Sequence, residues 1–365
     1  MTPAEMLESV AALVECESPS VDPGATAACA KVLDDLVSPQ LGSRAEWHEV
    51  DGRPHLRWRF GTPQVLLLGH LDTVWPLGTV ARWPFDVARD RASGPGVFDM
   101  KAGLVQLFAA VSALDDLDGL CILITSDEEV GSTTSRSLIE QSAADTRAAL
   151  VFEPSQDGAL KVARKGVGMY TIEVEGRAAH AGLEPERGVN ATLEVARQAT
   201  AIAELSRPDA GTTVTPTVVS GGTTVNTVPA AARLAVDVRA SSAAEMDRVA
   251  AALESLQPTT PGARIRVSAA GVRPPFEPVS SATLFATAQR LAAGVGMKEL
   301  AGVAVGGGSD GNITAALGVP TLDGLGAVGG GAHAEGEWMD ISQLVPRTAL
   351  ATALIKEVLA KESRR

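Results

Sequence analysis

The apolar positions of this chain follow two rhythms. Up to about residue 165, short continuous apolar runs alternate with stretches of helical period. Met6, Val10 and Leu13 share one face of a helix over 3–15, and a second helix follows around 25–36. Strands are expected at 47–50, 55–60, 65–68, 121–125 and 149–152. Val65-Leu66-Leu67-Leu68 and Cys121-Ile122-Leu123-Ile124 are apolar throughout, as strands buried on both faces of a parallel sheet are. Leu104, Phe108, Val111 and Leu114 recur at helical spacing, with Asp99 expected at the helix start. From 166 the rhythm changes: Tyr170, Ile172 and Val174 alternate with Thr171, Glu173 and Glu175, a half-buried strand. A helix over 190–205, strands at 212–219 and 232–239, a helix at 243–256 and a strand at 264–269 complete a β-α-β-β-α-β order, the pattern of a ferredoxin-like domain. After 274 the first rhythm returns, with a helix at 279–294, a strand at 319–323 and a last helix at 342–361. The fold class expected is α/β: a discontinuous domain of residues 1–165 and 274–365 with a mostly parallel sheet, plus an inserted ferredoxin-like α+β domain of residues 166–273. The insert's open sheet edge offers a surface for pairing with a second copy.

Composition narrows the function classes. The net charge is −13, from 31 basic and 44 acidic residues. That balance argues against a nucleic-acid surface, which needs a basic stripe. No apolar run approaches the ~18 residues of a membrane span. Cys16, Cys29 and Cys121 are odd in number and widely spaced, which gives neither a disulfide framework nor a cysteine-type zinc motif. Met1-Thr2-Pro3-Ala4-Glu5 has an acid where a signal peptide carries basic residues. A cytoplasmic, reducing location is the expectation.

The chemistry-bearing residues recur where strands end. The run 65–69 leads into His70 and Asp72. Gly94-Pro95-Gly96-Val97-Phe98 leads to Asp99, the strand at 121–125 to Glu128 and Glu129, and the strand at 149–152 to Glu153. A glycine-rich stretch, 329–331, leads to His333. In open α/β sheets, ligands bind beyond the carboxyl ends of the strands. Taken singly, each residue has an ordinary explanation: a hydrogen-bonded pair, an N-cap, a solvated turn. Together, two imidazoles and several carboxylates suit a hydrolytic metal site, with zinc the expected ion and cobalt or manganese able to use the same donors. Adjacent Glu128 and Glu129 on an extended strand end would point apart. His48 and His55 precede this region and read as structural. Trp75, Trp83 and Trp338 flank it and read as packing, with Trp75 placed to shape a pocket rim.

The motifs Gly69-His70-Leu71-Asp72-Thr73-Val74, Gly96-Val97-Phe98-Asp99-Met100-Lys101-Ala102-Gly103 and Asp127-Glu128-Glu129-Val130-Gly131-Ser132 resemble the di-zinc metallopeptidase family of glutamate carboxypeptidases and aminoacylases. Phe152-Glu153-Pro154, Ala179-His180-Ala181-Gly182, Val225-Asn226-Thr227-Val228-Pro229, Gly306-Gly307-Gly308-Ser309-Asp310 and His333 agree, so the resemblance covers nearly the whole chain. The folate-cleaving carboxypeptidase G type is the nearest likeness. The resemblance implies two zinc ions per chain, bridged by Asp99, one bound by His70 and Glu153 and the other by Glu129 and His333. It implies Glu128 as general base, Asp72 as the acceptor that orients His70, and a cis peptide between Asp99 and Met100. It further implies that His180 stabilises the oxyanion from the partner subunit of a homodimer, with Asn226 assisting.

Arg239 and Arg273 are the candidate clamps for a substrate carboxylate, since a guanidinium matches a carboxylate bidentately. Arg273 matches the family position that holds the substrate carboxylate. Gly307 and Gly308 would let backbone N–H groups approach the substrate. No Lys-Ser/Thr follows them, so they are not a phosphate loop. The expected activity is hydrolysis of an amide bond in a small substrate with a free carboxylate, releasing a C-terminal amino acid in the manner of a glutamate-type carboxypeptidase. The alternative is a deacylase of N-acyl amino acids, of the aminoacylase, acetylornithine or succinyl-diaminopimelate type. A non-catalytic metal-binding homologue is a remote third, against which an intact Glu128 and a full ligand set argue.

Overall fold

The computed structural model describes residues 1–297 and 299–360. The chain divides into two compact units. One comprises Met1–Ala163, Glu277–Val305 and the chain from Ser309 on; the other comprises Arg164–Phe276 with Gly306–Gly308.

The larger unit is built on a six-stranded sheet in the order Glu46–Val50, Arg53–Arg59, Leu120–Thr125, Val65–His70, Ala148–Val151, Thr321–Leu322. Its right-hand pairings, those of Val65–His70 with both neighbours and of Thr321–Leu322 with Ala148–Val151, are parallel. Glu46–Val50 is joined antiparallel to Arg53–Arg59, which is joined antiparallel to Leu120–Thr125. The all-apolar runs lie where both faces are covered. Val65, Leu66, Leu67 and Leu68 have no exposure, each contributing about 1.5–3 kcal/mol of burial. The first helix, Pro3–Glu15, starts on a capping box in which Thr2 and Glu5 exchange hydrogen bonds. The second runs Pro23–Leu41, longer than its apolar spacing predicts. The last, Leu344–Ala360, is preceded by a short turn at Ile341–Gln343; residue 361 of the predicted helix lies outside the described residues.

The structure departs from the expected pattern at two places. Asp99 does not open the helix, which begins at Ala102. Asp99 (φ −115°, ψ 93°) and Met100 (φ −133°, ψ 35°) are outside the helical region, and the peptide between them is cis, as the resemblance implies. Glu128 and Glu129 do not sit on an extended strand end but in a tight turn, Glu128–Val130, closed by Gly131 in the left-handed conformation. The pattern also gave no hint of a small antiparallel sheet in the order Gly329–Gly330, Trp338–Asp340, Arg91–Ser93, Asp86–Ala88. Its strands are too short to show a period, yet it carries the loop with His333.

The smaller unit is a four-stranded antiparallel sheet in the order Thr213–Gly221, Ala231–Ala240, Gly166–Glu175, Arg264–Arg273. Tyr170, Ile172 and Val174 pack with Val195 and Ile202 of the helix Ala191–Ala203 and with Val249 and Leu253 of Ala243–Glu254. The split β-α-β-β-α-β order is therefore present, with Asn190 capping the first helix through Leu193 N–H at 2.9 Å. The last strand continues past residue 269 through a bulge between Ala269 and Gly271. Among the described residues no helix is long and apolar enough to cross a membrane.

Candidate metal and active site

His70 ends the strand Val65–His70 and is buried. Its Nδ1 donates to the backbone carbonyl of Asp72 at 3.0 Å, with the Asp72 carboxylate 3.4 Å away. The main chain of Asp72, ahead of its side chain, thus sets the tautomer and leaves Nε2 to act as a donor atom toward a metal. The carboxylate of Asp72 has other work. Its two oxygens accept the backbone N–H groups of Glu128 and Glu129, each at 3.2 Å, and Ser20 Oγ donates to it at 2.7 Å.

Asp99 stands between the two imidazoles. One of its oxygens is 3.4 Å from His70 Nε2 and the other 3.5 Å from His333 Nε2. His70 Nε2 also lies 3.4 Å from Glu153 Oε1, and His333 Nε2 lies 3.1 Å from Glu129 Oε1. The candidate donor atoms of His70, Glu128 and Glu153 fall within 4.8 Å of one another, as do those of His70, Asp99 and Glu129. All six of these acids and imidazoles, with Asp72 beneath them, are therefore brought together in the larger unit. Glu153 is placed by close backbone approach. A Cβ on Gly103 or on Gly326 would lie 2.2 Å from the carbonyl oxygen of the preceding Phe152, so only glycine fits at either place.

The electrostatics follow from this crowding. Burial would keep His70 neutral, but Asp72, Asp99 and Glu153 outweigh it and raise its pKa well above the ordinary value. Asp99 and Glu129 raise His333 to about 10. For Asp99, the two imidazoles outweigh burial and lower its pKa. His333 holds φ 60°, an uncommon region for a residue with a Cβ and one that clusters at functional sites. At the centre, His70 Nε2 and Asp99 Oδ1 are buried without a hydrogen-bond partner, although they face one another. Imidazole and carboxylate donors converging on that point fit a divalent transition metal.

Several supporting residues escaped the sequence reading. Glu337, fully buried, accepts hydrogen bonds from the loop before Asp99 and from Trp75. Lys101 Nζ donates to the carbonyls of Leu13 and Cys16, at 2.6 and 2.7 Å. Lys161 Nζ sits 3.7 Å from Glu153. Asp310 accepts from Thr125 Oγ1 at 2.9 Å and from Ser132 Oγ, tying the end of one strand to the turn after Glu129. His55 is buried as a support for the same turn: its Nδ1 accepts from Ser126 N–H at 3.3 Å, and its Nε2 is 3.1 Å from Thr134 Oγ1. His48 stays near Glu46, 3.5 Å away. Trp75 packs edge-on against Trp83, and Arg91 lies over the ring of Trp338.

The remaining candidates belong to the smaller unit. His180 pairs with Thr227, and Ala181 N–H donates to the carbonyl of Asn226, so His180 and Asn226 are neighbours. His180 Nδ1 accepts from the N–H groups of Gly182 and Leu183, both at 3.1 Å, which leaves the ring proton on Nε2, in an exposed ring. Arg239, Val167 and Arg273 form one row across the sheet, on the face opposite the helices. A Cβ on Gly308 would touch Arg273 Cδ at 3.4 Å, and the buried Arg164 donates to the carbonyls of Gly307 and Gly308, at 3.2 and 3.1 Å. Arg273, Gly307 and Gly308 are therefore assembled. Arg239 is already engaged by Asp237, with Nε at 3.0 Å and a second nitrogen at 3.0 Å.

A family model described as Peptidase family M20/M25/M40 matches residues 66–357. The chain belongs to this family. It is an enzyme of the metallopeptidase and amidohydrolase kind, and the resemblance read from the motifs is borne out. The chain is 31% identical over 313 residues to carboxypeptidase G2 of Pseudomonas sp. (strain RS-16), covering 82% of this chain and 74% of that protein. It is 29% identical over 289 residues to a succinyl-diaminopimelate desuccinylase of Bradyrhizobium sp., covering 70% and 73%. Among solved structures, the aminopeptidase PepT from Bacillus cereus superposes with a TM-score of 0.77 at 22% identity, over 98% of this chain and 99% of that one. The Bacillus subtilis YXEP protein, a dinuclear metal-binding peptidase, superposes with a TM-score of 0.68 at 14% identity, over 98% of each. At those identities the structural likeness speaks for the shared fold, an α/β unit with an inserted α+β domain.

Proposed function

We propose that this enzyme hydrolyses an amide bond beside a free carboxylate and releases a C-terminal amino acid, as a glutamate-type carboxypeptidase served by two zinc ions. The observation that carries the reading is the position of Asp99, one oxygen facing His70 and the other facing His333. A carboxylate so placed can be shared by two cations. His70 and Glu153 would complete one ion's donor set, and Glu129 and His333 the other's. Bound there, a pair of divalent ions supplies Lewis acidity that polarises the scissile carbonyl and acidifies a water.

The chain's own residues supply the rest. Glu128 takes the attacking water's proton and delivers it to the leaving nitrogen. Its backbone N–H is held by Asp72, which fixes the turn from which it acts. His180 presents Nε2–H as a donor to the developing oxyanion, from the partner subunit of a homodimer joined through the insert, with Asn226 beside it. Arg273 and the N–H groups of Gly307 and Gly308 receive the substrate carboxylate, with Arg239 in the same row. The three cysteines, none in a disulfide, suit a cytoplasmic setting.

Carboxypeptidase G2 among the relatives supports the carboxypeptidase reading, and the desuccinylase supports a second one, deacylation of an N-acyl amino acid. The deciding experiment supplies zinc and measures hydrolysis of paired substrates. One set is folate-type and peptidyl glutamates; the other is N-acetyl and N-succinyl diamino acids. The higher kcat/KM is expected on the glutamates. Preference for the succinyl or acetyl substrates would replace the carboxypeptidase reading by the deacylase one, and no amide hydrolysis on either set would sink both.

A further inference from the structure

Glu337 lies four residues after His333, in the loop between the strands Gly329–Gly330 and Trp338–Asp340. It is a carboxylate with no exposure at all, and the mechanism gives it no task. Such a group is costly to bury unless its lone pairs are filled. Here they are filled symmetrically. Oε1 accepts the backbone N–H groups of Phe98 and Asp99, both at 2.8 Å. Oε2 accepts the N–H of Gly96 and the indole Nε1–H of Trp75, both at 2.9 Å.

These partners come from distinct ligand-bearing segments. Phe98 and Asp99 belong to the stretch that presents the Asp99 carboxylate, and the backbone angles of Asp99 deny it a helical partner. Trp75 lies five residues after His70, on the stretch that leaves the strand Val65–His70. Glu337 itself shares its loop with His333. We propose that Glu337 is the positioning residue of the metal centre: one buried carboxylate that clamps the His70, Asp99 and His333 segments in mutual register, and so holds Asp99 where two ions can share it. The inference rests on the reading of Asp99 as a shared ligand.

The chemistry requires a carboxylate. An amide in its place turns one of the two acceptor atoms into a donor, which then faces two N–H groups. Loss of such support around ligands typically weakens metal affinity by ~10–100-fold. The test is zinc titration by calorimetry on the wild type and on E337Q, with the visible spectrum of the cobalt-loaded proteins as a second reading and circular dichroism as the check of fold. The wild type is expected to take two zinc ions per chain. Folded E337Q should bind its second ion at least ~10-fold more weakly, with altered cobalt bands. Adding Trp75→Phe removes one N–H that the new amide would face and should recover part of that affinity. Wild-type zinc affinity and cobalt bands in folded E337Q, even with a lowered Tm, would overturn the proposal by reducing Glu337 to a structural residue. If E337Q does not fold, E337D carries the question. It keeps the charge but withdraws it by one methylene, so a weakened second ion supports the proposal and unchanged uptake overturns it. Fewer than two ions on the wild type would instead overturn the shared-ligand reading and take this inference with it, a failure visible without any variant.

Discussion

Asp72 accepts the backbone N–H of Glu129 on one carboxylate oxygen at 3.2 Å, while its other oxygen accepts that of Glu128 at the same distance. The same residue's carbonyl receives His70 Nδ1. Asp72 is therefore a hub, orienting an imidazole with its main chain and the turn of Glu128 and Glu129 with its side chain. Asp72→Asn keeps the carbonyl and its bond to His70 but places an amide NH₂ against one of the two N–H groups. We expect kcat to fall about 10–100-fold, and stability to fall by about 1–3 kcal/mol for the donor left unsatisfied. Steady-state kinetics and thermal unfolding measure the two effects. Unchanged kcat with lowered stability would confine Asp72 to holding the fold.

Glu128 stands within reach of His70 and Glu153, so proximity alone suits it to be a metal ligand as well as a base. Glu128→Gln separates the two roles. As a base, it should leave zinc stoichiometry at the wild-type value while turnover drops ~10²–10⁴-fold. Loss of a bound ion in the folded variant would make Glu128 a ligand.

How far the site was legible follows from the range of its interactions. Apolar runs such as Val65–Leu68 announce strands, and strand ends announce where His70, Glu128, Glu129 and Glu153 gather. The turn at Glu128–Val130 and the delayed start of the helix at Ala102 were not legible, because tertiary hydrogen bonds decide them. Asp72, 56 residues before Glu128, bends the turn, and Glu337, 238 residues after Asp99, takes the N–H that a helix would have used. Asp310 reaches back 178 residues to Ser132. Such acids carry no periodic signal, since their partners are main-chain groups and hydroxyls that any sequence offers. The one available cue for Glu337 was a carboxylate close after His333 in a glycine-rich loop. The ferredoxin-like order of the insert was legible because its strands are long enough to alternate.

Glu194 offers a test of the insert that is independent of the chemistry. Its buried carboxylate accepts from the N–H groups and hydroxyls of Thr259 and Thr260 and from Gln198 Nε2, binding the helix Ala191–Ala203 to the loop before the last strand. Burial alone would raise its pKa, but the hydrogen bonds from Thr260, Gln198 and Thr259 outweigh it and hold it at about 2. A folded-state value below the unfolded one means the stabilisation is fully present above about pH 4.5 and is lost as pH falls through about 2. Glu194→Ala should cost about 1–3 kcal/mol near neutral pH by leaving buried donors unpaired, and the difference from wild type should shrink with acid across that window. Urea unfolding at a series of pH values checks it; a pH-independent difference would contradict the account.

The two arginines of the sheet row should behave differently. Arg273 packs beside Gly308, in the stretch proposed to receive the substrate carboxylate, and Arg239 is held by Asp237. Arg273→Ala should raise KM with little change in kcat, removing a charge-assisted contact of about 1.5–3 kcal/mol. Arg239→Ala breaks an ion pair of its own chain and should act on stability more than on KM. The reverse assignment of the two effects, in kinetics and unfolding measured side by side, would move the carboxylate clamp to Arg239.

His180 carries the prediction that links chemistry to assembly. With Nδ1 accepting from Gly182 and Leu183, the ring can only donate through Nε2, the state an oxyanion contact needs. His180→Ala should therefore lower kcat by ~10²–10³ while leaving KM nearly unchanged, because the contact forms in the transition state. His180→Gln, whose amide can still donate, should recover part of the loss. If the ring serves the partner subunit, His180→Ala and Glu128→Ala protomers are complementary. Each is strongly impaired alone, but a mixed dimer assembles one site with an intact Glu128 from one protomer and an intact His180 from the other. Activity should appear on subunit exchange, approaching half the wild-type value per dimer for fully mixed pairs. Sedimentation and mass spectrometry of differently tagged protomers would verify the exchange. Verified heterodimers that stay inactive would show that His180 serves its own chain or no site at all.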